Sequence, residues 1–272
     1  TNMRLVATEA CRRARNGENF VAQVRRETGL ELEIIKPEEE ARLAVISCAP
    51  LVSTKTEQLL VVDIGGGSTE LVWIDLTNVP ERERPRAIMR LHKGFKSDPG
   101  PFAAARVVDW ISVPLGVATL RDHFDDVEDD AARFALMSWY FEEHLSEFAP
   151  YKDEQSREGF QIVGTSGTVT TVAASHLGLK RYDRNKVDGL RMTSDQIDKV
   201  IRMYLNLGPA GRRRDPRIGQ DRQALIMSGA AILQALLRCW PTDQLSVADR
   251  GLREGLLYAQ MSADGVLEDG VY

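Results

Sequence analysis

Residues 59–76 read LLVVDIGGGSTELVWIDL, and this stretch decides the fold. LLVVDI is a continuous apolar run, the pattern of a strand buried on both faces. GGGS, residues 65–68, makes a tight turn, and TELVWI is a second strand. Strand, glycine turn, strand is a β-hairpin. It is not the strand–glycine loop–helix of a dinucleotide or Walker site, and neither GxGxxG nor GxxxxGKS/T occurs in the chain.

Working outward, the flanks alternate between strands and helices. Upstream, Pro37 opens EEEARLAVISCA, a helix with three carboxylates in its first turn, where the helix dipole favours negative charge. LELEII before it is strand-like, and residues 7–29 carry helical spacing until Gly29 stops them. Downstream, TNVPERERPR reads as a polar connection and residues 92–103 as a further loop. VVDWISVPLG is a strand leading into a turn. A helix over about residues 128–148 would bury Phe134, Met137, Phe141, Leu145 and Phe148. FQIVGTSGTVTTVAASHLG is strand, small-residue turn, helix. MTSDQIDKVIRMYLNLG is a helix stopped by Gly208. Another, around residues 218–240, would bury Ile218, Leu225, Gly229, Ile232 and Leu236. LSVADRG is a short strand and turn, and GLREGLLYAQM a last helix. The alternation predicts an α/β fold.

At about 150 residues per domain, 272 residues suggest two domains. Hydrophobic residues at 43% and charged residues at 28% exclude a disordered tail, a collagen-like fibre and a disulfide scaffold. Cys11, Cys48 and Cys239 are far apart and form no CxxC pair. The four histidines show no i, i+4 pair, so a cysteine or histidine metal site has little support. The first residues lack the apolar core of a signal peptide, and no apolar run approaches the ~18–20 residues that cross a bilayer. A cytoplasmic protein without a membrane partner is expected. The net charge of −5 argues against nucleic acid as a partner. Residues 121–158 hold 12 acidic and 4 basic side chains, residues 180–222 hold 12 basic and 6 acidic. Two solvated faces of opposite sign would explain this, as would a basic wall facing an anionic ligand.

Asp63 to Glu70 can carry chemistry. Gly65, Gly66 and Gly67 let the backbone come close to a ligand with N–H groups turned toward phosphate oxygens. Gly66 is expected to need a positive φ. Ser68 and Thr69 add hydroxyls, and Asp63 at a strand end is placed to hold a divalent cation or orient water. A bare hairpin turn is the competing reading. Gly164, Thr165, Ser166 and Gly167 form a second turn after an apolar strand, opening a helix as anion sites do; a simply capped helix would look the same.

DIGGGSTELV, preceded by EEEARL and followed by SVPLG, GTSGT and ADRGLREGLL, resembles the exopolyphosphatase / guanosine pentaphosphate phosphohydrolase family of the actin, sugar-kinase and chaperone ATPase superfamily. The resemblance runs from Ala7 to about Leu257. It implies a ribonuclease-H-like two-domain α/β fold with an interdomain cleft. Its reaction would remove terminal phosphate from inorganic polyphosphate or guanosine pentaphosphate. It casts Glu40 as catalytic base, and Asp63 and Glu70 as residues that hold a cation, Mg2+, and position water. It further casts Gly65, Gly66, Gly67 and Ser68 as phosphate cradle and Arg12 of the ATxxxR stretch as a phosphate contact. Read without it, Glu38, Glu39 and Glu40 merely complement a helix N-terminus.

Full-length members open with another phosphate turn, and nothing like it precedes Arg4. The expectation is therefore an incomplete first domain over residues 1–55, a second over 56–272, and self-pairing as a homodimer. A superfamily kinase and a binder without turnover are the rival functions. The Arg212–Arg214 run is expected to line a polyphosphate path with Lys180, Arg181, Arg184 and Lys186.

Overall fold

The computed structural model describes residues 3–95, 104–152 and 158–267. Most of the loop read at 92–103 lies outside them. The strands are β1 (Leu5–Ala7), β2 (Leu32–Ile34), β3 (Gln58–Ile64), β4 (Thr69–Asp75), β5 (Arg106–Val113), β6 (Phe160–Thr165), β7 (Arg191–Met192) and β8 (Leu245–Ala248). The helices are α1 (Glu9–Arg13), α2 (Gly17–Thr28), α3 (Pro37–Cys48), α4 (Arg84–Arg90), α5 (Val117–His123), α6 (Asp130–Glu143), α7 (Gly167–His176), α8 (Arg184–Val187), α9 (Ser194–Arg214), α10 (Ile226–Cys239) and α11 (Leu252–Ala263).

Six strands form one mixed sheet in the order β5-β4-β3-β6-β8-β7. β3, β4 and β5 are an antiparallel meander, and β6 and β8 run parallel to β3 on its other side. The apolar run of β3 sits at the centre because both its faces are covered. Leu60 and Val62 face one apolar cluster with α5, α6, α7, α9 and α10, and Leu59 and Val61 face a second with α3, α4 and α11. Burying each such side chain stabilises the fold by roughly 1.5–3 kcal/mol. Trp73 of β4 stacks on Phe160 of β6, with ring centroids 5.1 Å apart, and donates Nε1–H to Gln58 Oε1 at 2.8 Å.

β1 and β2 make a separate two-stranded parallel pair. The division expected at residue 55 falls in the connection leading to β3. α3, on its N-terminal side, packs against the large sheet through Leu43, Val45 and Ile46. Buried Gln161 ties the connection down. Its Oε1 accepts from Ser53 N and Thr56 Oγ1, and its Nε2 donates to Leu51 O and Ser246 Oγ, which satisfies the whole amide. α11 crosses α3 at Gly255, where a Cβ would stand 2.1 Å from the Leu43 carbonyl oxygen.

Several local expectations are corrected. Residues 7–29 form two helices, because the chain turns at residues 14–16 and brings Gly17 so close to Cys11 O that a Cβ would sit 2.1 Å from it. Gly29 does end α2, in the left-handed conformation at φ 73°. The polar connection after β4 contains α4, whose Arg84 is buried and donates to the carbonyls of Val79 and Thr54. The helix expected over 128–148 ends at Glu143, although Leu145 and Phe148 beyond it are still buried. α10 starts at Ile226 rather than near 218, after a separate 3-10 turn at Gln220–Arg222. Gly208, at φ 61° and ψ 175°, does stop the helix that begins at Ser194, as expected; what the sequence reading lacked is the second helix that follows across the kink from Pro209 to Arg214.

Candidate active site

Strand register brings the chemistry together. Ser112, Glu70, Asp63, Thr165 and Ala248 are successive partners across β5, β4, β3, β6 and β8. The row lies at the carboxyl ends of the parallel strands, where open α/β sheets bind ligands. Both glycine-containing turns therefore leave the same end of adjacent parallel strands, as two loops of one cleft require.

The GGGS turn closes with Gly65 N–H donating to Ser68 O at 2.9 Å. Its carbonyls are taken up by the start of α5: Val117 N–H donates to Gly65 O and Ala118 N–H to Gly66 O, both at 2.9 Å, and Thr119 Oγ1 donates to Gly67 O at 3.1 Å. Among the described residues nothing accepts from the N–H groups of Gly66, Gly67 and Ser68. With the carbonyls spoken for, those three donors remain for an anion. Two of the glycines are required by close contacts: a Cβ at Gly65 would lie 2.9 Å from Ser68 O, and one at Gly67 would lie 2.9 Å from Glu9 Cγ. Gly66 corrects the expectation. It has no positive φ, and a Cβ there would meet nothing within 4 Å. The tightest approach to this turn belongs to Gly116, not singled out in the sequence, where a Cβ would stand 2.5 Å from Gly65 O and Gly66 C.

Glu40, Asp63 and Glu70 come close enough to act on one another's charge. Burial, then the charges of Glu70 and Glu40, push the Asp63 carboxyl up to about 8. Burial and Glu40 push Glu70 up to about 7, against hydrogen bonds from Ser68 and Ser112. Those two hydroxyls donate to Glu70 Oε1 at 2.7 and 2.8 Å. Arg12 Nη2 donates to Glu40 Oε2 at 2.8 Å and to Glu9 Oε2 at 3.0 Å, and Nη1 donates to Ile35 O at 2.8 Å. Arg12, expected to touch phosphate, is hydrogen-bonded here to Glu9, Ile35 O and Glu40. No described residue donates to Glu40 Oε1.

The hydroxyls expected to hold phosphate are mostly engaged inside the protein. Ser68 serves Glu70, and Thr69 donates to Leu115 O at 2.8 Å. Thr165 donates to Arg250 O, and Ser166 Oγ caps α7 by accepting from Thr168 and Val169 N–H. The reason is local: short hydroxyl side chains beside a turn find unpaired backbone groups before they find a ligand. Gly164 packs against Val169, and Gly167 lies beneath the Arg222 guanidinium, where a Cβ would be 2.1 Å from its Cζ. This second turn opens on a cavity of about 510 Å³ that Arg217, Arg222 and Arg250 also line.

Among the described residues no group of three or more His, Cys, Asp or Glu side chains is arranged to hold a metal ion. The residues nevertheless suit one cation shared with a ligand. Two neighbouring carboxylates that burial makes reluctant to ionise together are relieved by a positive charge between them.

The chain matches the Ppx/GppA phosphatase family over residues 1–264. It belongs to that family. The guanosine-5'-triphosphate,3'-diphosphate pyrophosphatase of Aeromonas salmonicida is 28% identical over 258 residues, covering 94% of this chain and 44% of that protein. Exopolyphosphatase 1 of Mycobacterium tuberculosis is 24% identical, covering 95% and 67%. The chain therefore spans less than half the length of the Aeromonas relative. The crystal structure of the Aquifex aeolicus Ppx/GppA family member superposes with a TM-score of 0.72 at 30% identity, over 96% of this chain and 74% of that one. An exopolyphosphatase-like protein superposes at 0.75 with 26% identity, over 96% and 78%. The α/β, actin-like fold class expected of the Ppx/GppA resemblance is the one these structures share.

Proposed function

We propose that the protein is a phosphohydrolase that releases terminal phosphate from inorganic polyphosphate or guanosine pentaphosphate by base-assisted attack of water. The observation that carries this reading is Glu40, held at one oxygen by Arg12 with the other free, beside Asp63 and Glu70 and the unpaired N–H groups of the GGGS turn. A water bonded to Glu40 Oε1 gives its proton to the carboxylate as its oxygen bonds to the terminal phosphorus. The bond to the bridging oxygen breaks, and the shortened chain leaves with that electron pair. The N–H groups of Gly66, Gly67 and Ser68 stabilise charge on the phosphoryl oxygens. Asp63 and Glu70 are the residues we assign to Mg2+, which when bound supplies positive charge against the transferring group.

The two substrate classes follow from the names of the relatives, one for guanosine pentaphosphate and one for polyphosphate. A cytoplasmic homodimer completes the proposal. The cytoplasmic part is supported by the free thiols of Cys11, Cys48 and Cys239. Among those residues no helix is long and apolar enough to cross a membrane. The test is phosphate release from each substrate in Mg2+, with binding measured in parallel. Release from either, abolished by Glu40→Gln, supports the reading. Saturable binding of both substrates without release overturns it in favour of a binding protein.

A further inference from the structure

The acidic and basic segments do not form separate faces. They meet at a cavity of about 340 Å³ between α6, α9 and the start of α10, lined by Arg121, Asp130, Arg133, Arg212, Arg213 and Ser228 among others. That volume is near the lower end of the roughly 300–1,000 Å³ of small-ligand sites. Four guanidinium groups and one carboxylate face it. Arg212 is buried and locked in a two-pronged pair with Asp130, with contacts of 2.5 and 2.9 Å, so these two cancel. Arg121 shares its charge with Asp122 outside the cavity. Arg133 bonds only to the Val127 carbonyl, and Arg213 makes no ion pair among the described residues. Two positive charges are left without a counter-charge, on planar groups suited to bidentate contact with phosphoryl oxygens. No lysine or histidine lines the cavity. α10 also begins without a side-chain cap, which adds to the positive potential.

We propose that this cavity is an accessory site for a small phosphoryl anion of two or more negative charges, such as pyrophosphate or the end of a short polyphosphate, and that it is linked to the GGGS turn. The link is short. Ser228 Oγ, on the cavity wall, donates to Val117 O at 2.6 Å, and Val117 N–H donates to Gly65 O at 2.9 Å. One residue of α5 thus joins the wall of the cavity to the hairpin that carries the free N–H groups. None of the cavity residues named here belongs to the proposed catalytic set, so the cavity is tested separately from that set, while the count of two sites rests on the proposed anion role of the turn.

The experiment is calorimetric titration of the intact chain with inorganic pyrophosphate, followed by hydrogen exchange of the Gly66–Ser68 amides. The wild type is expected to bind two pyrophosphates. The double variant Arg133→Gln/Arg213→Gln should bind one, with an unchanged melting temperature showing that it is folded. A second double variant, Arg121→Gln/Arg213→Gln, leaves the Arg133 contact to Val127 intact and should weaken the same event at least tenfold. In a protein already carrying Glu40→Gln, pyrophosphate should slow exchange at Gly66–Ser68 more than it does once Arg133→Gln/Arg213→Gln is added. A titration that is the same in the wild type and in both double variants overturns the site. Two events with no such difference in amide exchange overturn the link to the turn.

Discussion

Asp63 and Glu70 are direct register partners across the β3–β4 hairpin, so two carboxyls share one buried face and are held to about 8 and about 7. A folded-state proton affinity above the unfolded value means that the native state binds the extra protons. Its contribution to stability is complete below about pH 4 and is lost as pH rises through 7 and 8. Without divalent cations the melting temperature should therefore fall between pH 5 and pH 8.5, and Asp63→Asn should flatten that fall. Mg2+ should raise the melting temperature more at pH 8 than at pH 5, since it replaces protons. Scanning calorimetry in EDTA and in Mg2+ checks both statements. A wild-type slope in Asp63→Asn would refute the shared-charge account.

Glu40 contributes to both raised affinities and presents the free oxygen. Glu40→Gln should lower turnover by about 10²–10⁴-fold, the usual weight of a general base, and leave polyphosphate binding largely intact. It should also move the pH-dependent loss of stability to lower pH, because one negative neighbour of Asp63 and Glu70 is gone. A kinetic effect without the pH shift would separate Glu40 from the carboxyl cluster.

The hairpin turn is seated on Gly116. Gly116→Ala puts a methyl group 2.5 Å from Gly65 O and Gly66 C, and overpacking of this kind costs about 1–3 kcal/mol. Melting temperature and polyphosphate affinity should both drop. Gly66→Ala, which meets nothing within 4 Å, should leave the melting temperature unchanged. Equal melting temperatures for the two variants would show that the turn can shift away from α5 at no cost.

Arg212 and its neighbours divide by burial. Arg212→Gln leaves Asp130 without its partner; removing half of a buried pair costs about 3–5 kcal/mol, and because Asp130 is partly exposed the lower end, about 3 kcal/mol, is expected. Arg214→Gln, on the exposed side of the same run, should change stability by less than about 0.5 kcal/mol. Chemical denaturation of the two variants decides between this arrangement and a uniformly solvated arginine run.

The large sheet was legible because its signals are local. An unbroken apolar run, a glycine turn and small residues after FQIV each specify an element without reference to anything distant, and Glu40, Asp63 and Glu70 were legible through motif order. What stayed hidden depends on contacts between remote segments. Ser112 looks like any strand serine until β5 pairs with β4 and sets it on Glu70. Gly116 shows its purpose only when α5 docks on the turn, and Glu9 only when it lies against Gly67. Arg212 reads as one more cation of a polyphosphate path because nothing in its own sequence reveals Asp130, 82 positions away. α4 was missed because ERERPR is polar, and its buried Arg84 is accommodated by the carbonyls of Thr54 and Val79 and by an ion pair with Glu57 at 3.9 Å.

The crossing of α3 and α11 at Gly255 sets an order of events during synthesis. The helix that carries Glu40 is made before the helix that clamps it, which follows more than 200 positions later. Contacts of such long sequence separation form late and slowly. Until Gly255 arrives, α3 lacks one of its packing partners, and of the contacts described here Glu40 has only the one from Arg12. A partly made chain would then carry the GGGS turn while the stretch of α3 that meets Gly255 is still uncovered.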